Sequence, residues 1–186
     1  MKEQAIKKEY QNVLDFWFEE IEPKQQFVKD KTFDQEIITR FRKDHERASQ
    51  GELVAWRETI EGCLAEIILL DQFSRNMHRG HPKSFAYDGI ALVLAQEALK
   101  HEDLKKLSIE KLAFLYMPFM HSESLVIHEF ALEYFRKEGL EESLKYEKKH
   151  RNILVKFGRY PHRNDILERK STPEELAFLK KPGSSF

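Results

Sequence analysis

The sequence contains few of the residues that build disulfide frameworks, metal clusters and tight turns. Its 186 residues include 1 cysteine, Cys63, together with 7 glycines and 6 prolines. A single cysteine excludes an internal disulfide framework and a zinc site built from several cysteines, and it is typical of a reducing compartment. With so little glycine and proline, the chain has few interruptions of regular secondary structure.

Long apolar runs and an excess of one charge are also missing. No apolar run approaches the roughly 20 residues that a membrane-spanning helix needs, and residues 1–10 contain no apolar segment of a secretory signal. The 31 Lys and Arg residues nearly balance the 32 Asp and Glu residues, so the whole molecule does not attract nucleic acids or anionic lipids. We therefore expect a soluble cytoplasmic protein with no membrane partner and no nucleic-acid partner.

The apolar residues of the chain recur at helical spacing. The pattern predicts an all-α fold, a single domain over residues 1–186, built from about eight antiparallel helices in hairpin pairs. The predicted helices cover about residues 3–20, 32–51, 53–73, 84–99, 108–118, 122–137 and 141–157, and the last begins at residue 172. The predicted N-caps are Thr32 or Asp34, Ser84, Ser108, Ser122 and Thr172, the last with a capping box to Glu175.

Two residues inside these helices predict local irregularities. Gly62, within the third helix, predicts a break or a close helix contact. Pro118 ends or kinks the fifth helix. The apolar run 64–70 in the third helix predicts that this helix is central.

Antiparallel helices place the loops after helices three, five and seven at one end of the bundle, because two helices separate each loop from the next. Arginine binds carboxylate or phosphate through paired hydrogen bonds, and histidine exchanges protons near neutral pH. These loops therefore predict a site for an anionic small molecule that bears phosphate or carboxylate. The ligand-binding residues predicted from the loops are Arg75, Asn76, Arg79, Ser122, Arg159, Arg163 and Asn164.

Acid–base chemistry at this site would depend on its histidines. We predict that His121 or His162 donates or accepts a proton and that Glu123 orients one of them. No metal and no cofactor is predicted. A metal held by the same three residues, and a nucleophilic Ser122, have weaker support in the sequence.

Structural interpretations of the same residues stay open. Asp71 and Arg75, at i and i+4, can form an ordinary ion pair on a helix face. Arg163 can likewise pair with a neighbouring surface carboxylate, and His45 is expected to lie in solvent. The basic run 145–170 is also compatible with RNA contact, but this interpretation has weak support in a chain of balanced charge.

Five sequence blocks together resemble a known bacterial family. They are LDFWF (14–18), LLDQFSRNMHRG (69–80), PFMHSE (118–123), FGRYPHRN (157–164) and STPEELAFL (171–179). With these blocks the chain is similar to the family known as domain of unknown function 924. The resemblance implies a tetratricopeptide-like helical fold and leaves the reaction open. It also supports an alternative function, a protein–protein interaction module that binds a partner peptide.

The resemblance extends the set of candidate residues and shows where this chain differs. It adds Asp71 and Arg169 to the predicted ligand-binding residues. Relatives usually have glycine before the second of these, where this chain has Glu168, which implies a local difference in backbone. A glutamine that is common after the PFMHSE block corresponds to His128, and a frequent tryptophan corresponds to Gln26.

Overall fold

The computed structural model describes residues 2–184 and is all-helical over that range, with no strand among those residues. The predicted fold class is therefore confirmed. Met1, Ser185 and Phe186 belong to the predicted domain 1–186 but lie outside the described residues. The described residues form eight helices: α1 (Lys2–Asp15), α2 (Lys31–Ser49), α3 (Ile60–Ile68 and its continuations), α4 (Asp88–Ala98), α5 (Ile109–His121), α6 (Leu125–Phe135), α7 (Glu141–Phe157) and α8 (Pro173–Leu179).

Two of these helices contain a wide π-helical turn. Helix α1 continues into the π turn Phe16–Glu20, and α3 continues through the π turn Leu69–Phe73 into the α-helical segment Ser74–Met77. The third helix therefore ends four residues later than the sequence predicted. Short 3₁₀ turns occupy parts of the connections, at Pro23–Phe27, Val54–Glu58, Pro82–Ser84, Glu102–Lys106 and Pro161–Arg163.

The helices form two layers around one main apolar core. Helices α1, α3, α5 and α7 lie side by side in that order, while α4 packs on α3 and α5, and α6 packs on α5 and α7. The two π turns meet in the core, where the rings of Trp17 and Phe73 are 5.4 Å apart. Residues 64–70 of α3 are fully buried, which confirms the predicted central place of this apolar run. Among the described helices, none is both long enough and apolar enough to cross a membrane.

Two of the predicted helix starts are confirmed. Thr172 caps α8 by accepting a hydrogen bond from the Glu175 N–H, and the Glu175 side chain completes the capping box. Ser108 caps α5 in the same way, through the Lys111 N–H. Helix α5 continues past Pro118 to His121. Gly62 does make a close contact, since an added Cβ would lie 2.0 Å from the Trp56 carbonyl oxygen, but its partner is the preceding 3₁₀ turn Val54–Glu58.

Three other predicted caps are wrong. Helix α2 is capped by Asp30, before the predicted positions, because its carboxylate accepts from the backbone N–H groups of Thr32 and Phe33. Ser84 lies in a 3₁₀ turn and donates to the His81 carbonyl, so α4 begins only at Asp88. Ser122 accepts from the Ser124 N–H in a turn that precedes α6.

Candidate functional site

Residues from three distant segments meet at one end of the bundle. Asp71 Oδ1 lies 2.7 Å from His121 Nδ1 and 3.5 Å from Arg75 Nη1. Arg163, from the turn after α7, donates through Nη2 to the His121 carbonyl at 3.0 Å. Together with Asp88, these residues form the central cluster: Asp71, Arg75, Asp88, His121 and Arg163. The three segments therefore converge, as the antiparallel order of the helices predicts.

The π turn Leu69–Phe73 positions Asp71 within this cluster. A π turn widens the helix by one residue and so redirects the side chains that follow, which is why such turns recur at functional sites. Asp71 is fully buried, and its other carboxylate oxygen accepts from Gln72 Nε2 at 2.6 Å. The buried carboxylate is therefore held from two sides.

Electrostatics favour the ionised form of Asp71. Burial by itself raises the pKa of this carboxyl group. The interaction with the His121 imidazole and the positive charge of Arg75, together with hydrogen bonds from His121 and Gln72, outweigh burial and lower the pKa below its usual range. An ionised Asp71 accepts the Nδ1–H of His121, and this leaves the second ring nitrogen, Nε2, as the proton acceptor.

Asp88, the first residue of α4, completes the cluster and was not predicted. Arg75 donates to both of its carboxylate oxygens, at 3.0 and 3.2 Å, and Arg163 donates to one of them at 3.1 Å. The sequence signal was an acidic residue in the first turn of a helix. That signal was missed because the helix was predicted to begin at Ser84.

Arg163 is enclosed by aromatic rings as well as by acceptors. Its guanidinium carbon lies 4.5 Å from the ring centre of Phe85 and 4.8 Å from that of Tyr160. Burial lowers the pKa of Arg163 below its usual value, although Asp88 opposes this effect. Only 7% of the side chain is exposed, and among the described residues no acceptor contacts its Nε.

The other predicted arginines each bind a carboxylate outside the central cluster. Arg79 donates to both oxygens of Asp34, which also accepts from Asn76. Arg159 donates to both oxygens of Glu175. These arginines connect neighbouring segments of this end of the bundle.

Two further predicted residues belong to the same set of connections. Asn164 donates to Glu175 and to Ser171. Arg169 donates to both oxygens of Glu123, which also accepts from the Tyr160 N–H. Asp71, and not Glu123, contacts the His121 imidazole, so the prediction that Glu123 orients a histidine now concerns His162, whose pKa burial lowers and the Glu123 charge raises. Glu123 also holds the loop of residues 159–169.

His162 and His150 lie next to the cluster, around the buried ring of Tyr160. Their rings are 5.6 and 5.7 Å from that ring, and the His150 ring is 6.5 Å from the His121 ring. Burial lowers the pKa of His162 to about 4, with further lowering by Arg163, Arg75 and Lys29. Lys29 is a nearby cation that the sequence reasoning missed.

His45 was expected to lie in solvent, and this expectation is wrong. Its side chain is buried, and Nε2 lies 2.8 Å from the Ser74 hydroxyl. Burial, with the nearby charges of His78 and Lys83, lowers the pKa of His45 to about 4. The neighbouring charged residues in the sequence suggested exposure, but His45 lies on the face of α2 that packs on α3.

Two concavities of the described surface lie away from the central cluster. A cleft of about 260 Å³ lies between α3 and α4 and is lined in part by Arg57, Cys63 and Leu94. A shallower groove of about 400 Å³ follows the outer face of α2. Within residues 2–184, no group of three or more His, Cys, Asp or Glu side chains is arranged to hold a metal ion.

Comparison with known proteins identifies the family. A family model described as a bacterial protein of unknown function, DUF924, matches residues 13–183. The chain belongs to the DUF924 family. A solved structure similar to this DUF924 member, a protein of unknown function from Agrobacterium tumefaciens, is 37% identical, with a TM-score of 0.87 over 92% of this chain and 96% of that chain. No curated protein matches the sequence of this DUF924 member.

Proposed function

We propose that the central cluster binds a small anionic molecule that bears phosphate or carboxylate, and that His121 exchanges a proton with it. The observation that carries this proposal is the buried Asp71–His121 pair, at 2.7 Å, beside the guanidinium groups of Arg75 and Arg163. A proton-transfer group and two anion-binding groups then act within one small region.

Donor counting supports anion binding. Each guanidinium has five N–H groups, and Arg163 directs two of them, to Asp88 and to the His121 carbonyl. Arg75 donates to the Asp71 carbonyl and to both oxygens of Asp88. Several N–H groups on these two arginines therefore remain for a ligand.

Charge balance defines how an anion would bind. Arg75 and Arg163 together carry two positive charges, and the carboxylates of Asp88 and Asp71 carry two negative charges. Asp88 contacts both arginines, and Asp71 contacts Arg75. Asp71 is shared with His121. An arriving anion would take over part of the contacts that Asp88 makes, and Lys29 would add a further positive charge near His162.

The acid–base role follows from the orientation of His121. Its Nδ1 faces Asp71, so Nε2 is the nitrogen that can accept a proton from a bound molecule. The side chain is 16% exposed, which gives a small ligand a route to the ring. His162 is the second candidate, while Asn76, Arg79, Ser122, Arg159, Asn164 and Arg169 would hold the loops around the site.

Binding of inorganic phosphate and of citrate can be measured by thermal shift and by calorimetry. We expect these anions to stabilise both the wild-type protein and the Arg79→Gln variant, because Arg79 pairs with Asp34 outside the cluster. Arg75→Gln should bind at least about tenfold more weakly, since charge-assisted hydrogen bonds contribute roughly 1.5–3 kcal/mol each. Equal loss in both variants, or no wild-type binding of any anion across a metabolite library, would contradict the proposal.

A further inference from the structure

Three side chains form hydrogen bonds with three consecutive backbone carbonyls at the end of α5. Tyr160 Oη donates to the Met120 carbonyl at 2.6 Å, and Arg163 Nη2 donates to the His121 carbonyl at 3.0 Å. The Ser122 carbonyl lies 2.9 Å from His128 Nε2. The last carbonyls of a helix have no partner within the helix, so side chains from other segments fix this helix end.

One of these three contacts is backed by a fully buried pair. His128 Nδ1 lies 2.5 Å from Glu147 Oε1, and both side chains have no exposed surface. His128 Nε2 also lies 3.1 Å from the Tyr160 hydroxyl. That hydroxyl already donates to Met120, so it accepts here, and the carbonyl of Ser122 can only accept. Nε2 of His128 therefore carries a proton, and Glu147 fixes the ring by its other nitrogen.

The energetic cost of burying the His128–Glu147 pair indicates that these side chains do more than fill space in the core. The second oxygen of Glu147 is buried and contacts no donor in the described part of the chain. A buried polar pair with one unsatisfied oxygen is no more stabilising than apolar side chains of similar volume. Stability alone does not explain why two polar side chains occupy the interface of α6 and α7. The contacts of His128 explain the pair. His128 contacts the Ser122 carbonyl and the Tyr160 hydroxyl, which donates to the Met120 carbonyl, and residues 120 and 122 flank His121 on both sides.

We propose that Tyr160, His128 and Glu147 are positioning residues that hold His121 against Asp71. Asp71 fixes the imidazole itself, while the buried network fixes the backbone from which the imidazole extends. The catalytic meaning of this network rests on the proposed function of His121. The positioning is a property of the free protein and can be tested without a ligand.

The test is the exchange of the His121 Nδ1–H proton with water, measured by NMR on histidine-labelled protein and assigned by its loss in His121→Gln. His128→Leu removes the donor to Ser122, and we expect exchange to become about tenfold faster. His128→Gln should exchange within about threefold of the wild-type rate, because its amide N–H can replace the lost donor. Faster exchange in both variants alike would overturn the proposal.

Two more variants separate positioning from general loss of stability. Tyr160→Phe removes only the hydroxyl that donates to Met120, so it tests the same network if His128→Leu does not fold, and we expect faster exchange there too. His45→Leu is the matched control, since His45 is also buried and hydrogen-bonded but contacts Ser74. Wild-type exchange in Tyr160→Phe, or equal acceleration in His45→Leu, would overturn the proposal. None of these outcomes depends on whether phosphate binds.

Discussion

At the scale of single residues, Glu168 has an unusual backbone conformation. Its φ is +54°, and it is the one residue other than glycine with positive φ among residues 2–184. A side chain in this left-handed region crowds the following carbonyl and costs about 1–2 kcal/mol. The family resemblance implies glycine at this position, and the conformation gives the physical reason. The turn is needed because Arg169 N–H donates to the Asn164 carbonyl, and the Arg169 side chain reaches Glu123.

Glu168→Gly should therefore stabilise the protein. Relief of the crowding exceeds the larger backbone entropy of unfolded glycine, so we expect the free energy of unfolding to rise by about 0.5–1 kcal/mol. Urea denaturation measures this change. Lys170→Gly is the control, because Lys170 is also exposed but has no positive φ, and there glycine should cost about 0.5–1 kcal/mol. Destabilisation by both variants would show that Glu168 is not strained.

At the scale of elements, the start of α3 is fixed by contact with the preceding 3₁₀ turn. Thr59 caps α3 by accepting from the Gly62 N–H, and the turn Val54–Glu58 then folds back over the first helical residues. The Trp56 carbonyl carbon would lie 2.7 Å from a Cβ at residue 62. Since the carbonyl carbon and oxygen of Trp56 are both backbone atoms, no side-chain movement can make room.

Gly62→Ala should destabilise the protein by about 2 kcal/mol or more, because the extra methyl forces the backbone apart. Gly89→Ala provides a contrast within another helix, since an added Cβ at Gly89 meets no atom within 4 Å. That change should stabilise the protein by about 0.5 kcal/mol through helix propensity. Thermal unfolding of both variants checks the pair, and opposite signs are expected. A neutral Gly62→Ala would mean that the turn can move away from α3 at little cost.

Helix positions were largely predictable from the sequence, and helix starts only in part. Thr172 was identified because a capping box names two residues at fixed spacing, so the signal is redundant. Ser84 and Ser122 were misassigned because a lone serine also fits 3₁₀ and other tight turns, which compete with caps for the same side chain. The π turn at Leu69–Phe73 has no comparable sequence signal, although it decides where Asp71 points.

At the scale of the whole molecule, the antiparallel order of the helices predicted that three distant segments meet. It did not predict which side chains form ion pairs there. Arg75, His121 and Arg163 converge because antiparallel order fixes which loops share an end. Which carboxylate each arginine reaches depends on side-chain distances of a few Å, and the sequence does not contain these. Asp88 was therefore missed, and so was the pairing between Glu123 and Arg169.

As the pH falls from neutral, we expect the buried histidines to lower the free energy of unfolding first, and the carboxylates to lower it only at more acidic pH. Burial lowers the pKa of His45 to about 4 and that of His150 to about 3, and His162 is lowered as well. In the unfolded chain these groups titrate near about 6.5. Between about pH 4 and about pH 6.5 the unfolded chain binds more protons, so the free energy of unfolding rises with pH across this window. Carboxylates with lowered pKa, such as Asp71 and Glu175, lose their contribution only at lower pH.

Lowering the pH from about 7 to about 5.5 should therefore reduce the free energy of unfolding by about 1 kcal/mol for each deeply buried histidine. Urea denaturation at the two pH values measures the total loss. In His45→Leu the loss between the same pH values should be smaller by about 1 kcal/mol, since a leucine side chain takes up no proton in the unfolded chain. A loss unchanged in that variant would contradict burial of His45 as the cause. A wild-type protein equally stable at both pH values would contradict burial of all three histidines as a cause of pH dependence. The unfolded and folded chains would then bind the same number of protons between these pH values.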